Sequence, residues 1–205
     1  RKLLQQRNAL LKQFLDNRRS DPELLQILDE QMMPLGNFIF ERRKEFIEGV
    51  QPIFQQHYAR LASNAEQVTI EYQSGLQETP YAEGLRQNAV ADAKSGFTNF
   101  GVHKDDFAFF INGQPVKRFG SQGQQKSFSL ALRLAQFDYS YQRKQVKHTL
   151  LLADISATPK KPRISALLQM VGQDHFGQVF LTDTDETRVS QILTERGIPH
   201  KIIRS

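Results

Sequence analysis

Gly120-Ser121-Gln122-Gly123-Gln124-Gln125-Lys126-Ser127 is a polar turn that opens directly into Phe128-Ser129-Leu130-Ala131-Leu132-Arg133-Leu134-Ala135, an apolar run of helical period. The first N–H groups of a helix lack intrahelical partners, and the helix dipole puts partial positive charge beside them. Gly123 allows close backbone approach, and the Ser121 hydroxyl and the amides of Gln122, Gln124 and Gln125 add donors. Such a helix start suits an anion, a phosphate above others. These five residues are the candidate binding residues.

The chain has 205 residues, enough for one large domain or two small ones with a real core. Cysteine is absent, which excludes disulfides and thiolate chemistry and fits a cytoplasmic location. No apolar run approaches the roughly 20 residues that cross a bilayer. The N-terminus, Arg1-Lys2-Leu3-Leu4-Gln5-Gln6, reads as helix and not as a signal peptide. The chain does not begin with methionine, so a processed product or a piece of something longer is expected. Net charge is +5, and it is unevenly placed. Between Pro115 and His148, seven cations face one acid, Asp138. A solvated helix face explains such a run, and so does a nucleic-acid surface. On charge alone, Lys117, Arg118, Arg143 and Lys144 are the DNA-binding candidates.

Residues 1–97 are expected to form a mainly helical arm. Leu3, Leu4, Leu10, Leu11, Phe14 and Leu15 make one stripe. Ser20 and Glu23 have capping-box spacing, with Pro22 in the first turn of a second helix. Pro34-Leu35-Gly36 predicts its end, and a third helix from about Asn37 toward Leu61 should kink or split at Pro52. Val68-Thr69-Ile70-Glu71-Tyr72 alternates as a strand, and Ala82–Ala93 reads as helix. In residues 98–205, Asn112-Gly113 between Phe107–Ile111 and Pro115–Phe119 predicts a hairpin with a type I′ turn. From Thr149 onward strand and helix alternate, with strands at 149–153, 178–182 and 200–203. This predicts an α/β fold with a parallel sheet.

At this level the residues resemble the RecF family. Asn37 to Tyr58, with Glu41-Arg42-Arg43 and Phe46-Ile47, resembles its helical arm. Phe100-Gly101-Val102-His103-Lys104-Asp105-Asp106 resembles its Gly-x-His-(Lys/Arg)-Asp-Asp element. Ile111-Asn112-Gly113 through Lys126 resembles the run ending in its signature motif, and Gly177–Thr184 a strand late in the chain. The resemblance implies the C-terminal lobe of an ATP-binding-cassette head, related to chromosome-maintenance ATPases, beside an antiparallel helical subdomain. It implies ATP and Mg2+ as cofactors, and a homodimer formed around ATP in which Ser121 to Gln125 meet the γ-phosphate held by the other copy. It also implies DNA and RecR- and RecO-type proteins as partners, no membrane, a role in recombinational repair, replication and the SOS response, and recombinase loading at single-strand gaps.

Three departures qualify this. The pattern Gly-x-x-x-x-Gly-Lys-(Ser/Thr) occurs nowhere. The expected account is a C-terminal portion lacking the phosphate cradle, inactive as an ATPase by itself. Leu150-Leu151-Leu152 ends in Ala153-Asp154, so Asp154 matches the water-orienting catalytic acid while Ala153 stands where the metal-side acid belongs. The basic run Lys160-Lys161-Pro162-Arg163 lies where the family is acidic, and Asp185 follows Thr184 where relatives often carry a histidine. Weak hydrolysis is expected, and a non-enzymatic interaction module is the rival reading. His103 with Asp105 and Asp106 reads as structural or interfacial before catalytic. His57 and His175 read as packing or surface residues, and no zinc spacing exists.

Overall fold

The computed structural model describes residues 1–17, 21–62, 66–147, 149–152, 161–172, 177–182 and 186–203. The elements are α1 (Lys2–Asn17), α2 (Pro22–Ala62), β1 (Val68–Gln73), α3 (Tyr81–Ser95), β2 (Asp106–Ile111), β3 (Gln114–Pro115), α4 (Val116–Phe119), α5 (Gln122–Lys144), β4 (Leu150–Leu152), α6 (Lys161–Val171), β5 (Val179–Leu181) and α7 (Glu186–Glu195). A short 3-10 turn spans Gly75–Gln77. Two sheets form, one in the order β1-β2-β3 and one of β4 and β5. The chain divides into two compact units, Arg1–Glu48 with Ile70–Ala108 and Gly49–Thr69 with Phe109–Ser205.

In the first unit α1 packs on α3. The helix predicted to end at Pro34-Leu35-Gly36 and to kink or split at Pro52 is instead the single 41-residue α2. Each proline removes one helical N–H. Pro34 and Pro52 are eighteen residues apart, about five helical turns, so both fall on one side of the helix. Both are exposed, so water can take the carbonyls left without donors. Away from the prolines, α2 buries Leu28 and Met32 in its first-unit part and Val50, Phe54, Tyr58 and Leu61 in the part that belongs to the second unit, and this burial outweighs the lost hydrogen bonds. Gly36 is a contact point and not a terminator: a Cβ there would lie 2.2 Å from Tyr81 Cε2. The start of α2 is capped by Asp21, whose Oδ1 accepts the Leu24 N–H at 3.0 Å. The expected cap, Ser20, lies outside the described residues. β1 alternates buried and exposed along its length, as its sequence predicts.

In the second unit the Asn112-Gly113 turn has positive φ at both residues, 50° and 74°, as a type I′ turn requires. The return strand is shorter than expected. Only Gln114 and Pro115 pair, with Ile111 and Phe110, and Val116–Phe119 winds into a helical turn. Pro115 cannot donate to a ladder and suits a helix start. The parallel pairing of β4 with β5 follows the expected crossover, with α6 and α7 in contact. The strand expected at His200–Ile203 does not form. These residues are exposed and belong to no helix or strand, with Ile203 at 77% exposure. Leu151 and Phe180 are register partners on one side of the small sheet, and both are exposed. Among the described residues, no helix is long and apolar enough to cross a membrane.

Candidate functional site: a capped helix start

The helix start expected after Gly120 forms, and its first residues are capped. Helical turn α4 closes with the Gly120 N–H on the Val116 carbonyl at 2.9 Å. A Cβ at Gly120 would come within 2.7 Å of that oxygen, so the turn needs glycine for space. Ser121 is the N-cap of α5. Its Oγ accepts the Gln124 N–H at 3.2 Å, and the Gln124 Oε1 accepts the Ser121 N–H at 2.7 Å. This reciprocal capping box satisfies two donors that would otherwise lack partners. Gln125 Nε2 donates to the Gly120 carbonyl at 2.8 Å and ties the turn from the other side. Ser121 and Gln122 remain exposed. The Ser121 oxygen accepts from its own helix, so its proton points elsewhere, and no acceptor for it lies among the described residues. The arrangement offers a hydroxyl donor at the positive end of a 23-residue helix, which is chemistry suited to a phosphate oxygen.

The core fixes where that helix start sits. Phe128 meets the rings of Phe54 at 4.7 Å, Phe109 at 5.6 Å and Tyr58 at 6.2 Å. Ser127, Ala131, Leu134 and Ala135 continue the buried side of α5. A carboxylate missed by the sequence reading joins this assembly. Glu66 Oε1 accepts the Gln124 amide at 2.7 Å, and its Oε2 accepts the buried Tyr58 hydroxyl. No pattern in the sequence flags Glu66, because its partners lie 8 and 58 positions away.

The four basic candidates do not form one cluster. Lys117 and Arg118 are exposed on α4, just before the capped turn. Arg143 and Lys144 occupy the last turn of α5, about 33 Å away along the helix axis. There they also complement the negative end of the helix dipole. Arg118 lies over the Phe119 ring and Arg143 over that of Tyr139.

Asp154, Ala153, His175 and Asp185 lie outside the described residues. Among the described residues, no group of three His, Cys, Asp or Glu side chains could hold a metal ion. His103, Asp105 and Asp106 have separate attachments: His103 Nε2 to the Thr98 carbonyl at 2.9 Å, Asp105 to Arg43 at 2.8 Å and to the Tyr72 hydroxyl, and Asp106 to the Phe107 N–H at 2.8 Å. His57 is buried, with its Nε2 2.6 Å from Asp138 Oδ2. The lone acid of the basic stretch thus faces inward.

No family model matches the chain. Among curated proteins, it is 41% identical to the DNA replication and repair protein RecF of Flavobacterium johnsoniae over 201 residues, covering 98% of this chain and 56% of that protein. It is 36% identical to the protein of the same name from Bacteroides thetaiotaomicron, covering 99% of this chain and 54% of that protein. The chain thus spans about half the length of the curated relatives it matches. Two solved structures share its fold, described as the recombination mediator protein RecF with ATPrS and with ATP in the RecFOR pathway. Both match at a TM-score of 0.76 over 90% of this chain and 51% of theirs, at 24% and 23% identity. With identities of 41% and 36% over nearly all of its length, the chain belongs to the RecF family.

Proposed function

We propose that this chain is part of an ATP-dependent DNA-binding protein of recombinational repair and replication, which dimerises around ATP and helps place recombinase at single-strand gaps. The observation that carries the reading is the exposed Ser121 at the capped start of α5. A solvent-facing capped helix start is available to a nucleotide held by a second copy. Ser121 would donate its hydroxyl to the γ-phosphate, Gly123 would leave room for the backbone, and the helix end would add partial positive charge. Residues 1–97 would serve as the arm and 98–205 as part of the head. Asp154 is assigned to orient water, and Lys117, Arg118, Arg143 and Lys144 to contact DNA phosphates. RecR and RecO are the partners suggested by the RecFOR description of the solved relatives. The working location is the cytoplasm.

The test uses the full-length protein. Ser121→Arg should abolish ATP-induced dimerisation measured by light scattering, and unchanged dimerisation refutes the reading. The present chain alone is expected to show no ATP turnover above background. One observation favours a second reading. Ala153 replaces an acid, which suits a head that binds partners without hydrolysis. Background ATP turnover by the full-length protein, with DNA and partner binding intact, would favour that alternative.

A further inference from the structure

We infer that Glu66 is a positioning residue for the capped turn, holding Ser121 ready for a phosphate presented by a second copy; this rests on the reading of Ser121 just given. Gln124 has two tasks. Its carbonyl accepts the Ser121 N–H at 2.7 Å, and its amide NH2 donates to Glu66 Oε1 at 2.7 Å. Flipping that amide would set NH2 against N–H and carbonyl against carboxylate. Glu66 therefore fixes the only favourable orientation of Gln124, and with it the capping box that holds the Ser121 backbone and hydroxyl.

Glu66 is fixed in turn from two directions. Its second oxygen accepts from Tyr58, which is buried on α2 and packed at 6.2 Å against Phe128 of α5. Its neighbour Gln67 exchanges two hydrogen bonds with Asn112 of the hairpin turn: Gln67 N–H to Asn112 Oδ1 at 2.8 Å, and Asn112 N–H to the Gln67 carbonyl at 2.7 Å. The segment leading into β1 is thus pinned to the hairpin while its carboxylate reaches the signature turn.

The inference is tested in the full-length protein by separating nucleotide binding from dimerisation. Glu66→Ala should leave ATP affinity unchanged at protein concentrations too low for dimers. It should raise the ATP concentration for half-maximal dimerisation about tenfold, the scale of one charge-assisted hydrogen bond. Glu66→Gln should recover most of that shift, to within about threefold of wild type, since its carbonyl can accept from Gln124 and its NH2 can donate to the Tyr58 oxygen at the strength of neutral hydrogen bonds. A role in stability alone would not give that split and rescue. If Glu66→Ala dimerises like wild type while Ser121→Arg does not, the role of Glu66 is refuted and the reading of Ser121 stands. If Ser121→Arg also dimerises like wild type, both fall. Should Glu66→Ala fail to fold, Tyr58→Phe decides: a shift of about threefold supports the inference, and wild-type dimerisation overturns it.

Discussion

Arg7 Nη1 donates to Asp92 Oδ2 across 2.6 Å, with the two side chains 1% and 0% exposed. Arg7 Nε also meets Asp29 at 2.5 Å, and its Nη1 reaches Thr98 Oγ1 at 2.9 Å. Burial opposes the guanidinium charge. The hydrogen bonds and charges of Asp29 and then Asp92 outweigh burial and hold Arg7 above its ordinary pKa. Arg7→Met would leave two carboxylates without their cation. A loss of about 3–5 kcal/mol is expected, because breaking a buried pair costs more than the pair contributes. Urea unfolding checks this, and an unchanged midpoint would contradict it.

Gly36→Ala tests the contact that keeps α2 close to α3. Alanine is the better helix former by about 1 kcal/mol, yet its methyl would meet the Tyr81 ring at 2.2 Å. Net destabilisation of about 1–3 kcal/mol is expected. In a Tyr81→Leu background the same change should become neutral or stabilising. Thermal melts of the four proteins in that cycle provide the measurement.

Tyr72 gives a pH dependence of known sign. Burial, and next its hydrogen bond to Asp105, raise its pKa above the ordinary phenol value, while Arg43 works against the rise. A raised folded pKa means the contribution is complete below the unfolded value near pH ~10 and is lost as pH climbs through the folded value. Stability should therefore fall at alkaline pH, less steeply in Tyr72→Phe. Denaturant midpoints at several alkaline pH values, with tyrosinate absorbance followed in parallel, measure it. Equal losses in both proteins would remove Tyr72 from the account.

The separation of the basic pairs makes DNA binding by each testable. In the full-length protein, Lys117→Ala with Arg118→Ala should lower the slope of log affinity against log salt by about two, close to one for each phosphate no longer neutralised. Arg143→Ala with Lys144→Ala should do the same if both ends of α5 reach the backbone. A slope unchanged in one double variant removes that pair from the DNA contacts, and for Arg143 and Lys144 leaves stabilisation of the helix end.

The elements that were legible in the sequence are those set by local rules. The I′ turn at Asn112-Gly113, the alternation of β1 and the capped start of α5 depend on residues a few positions apart. The continuity of α2 was not legible, because prolines 34 and 52 are tolerated only through their shared exposed side and the burial away from them in each unit. The third strand was expected from the residue types at 200–203, but a strand also needs a neighbour to pair with, which local sequence does not supply. Glu66 was invisible for a related reason: its importance comes from Tyr58 and Gln124, and only folding brings them to it. His57 and Asp138 likewise became a buried pair across 81 positions of sequence.

The outward Leu151 and Phe180 have a practical consequence. A parallel sheet normally has layers over both its faces, and here one face presents a leucine and a phenylalanine to water. Such a surface recruits whatever apolar material it meets, so purification of this polypeptide by itself invites clumping that worsens with concentration and added sulfate.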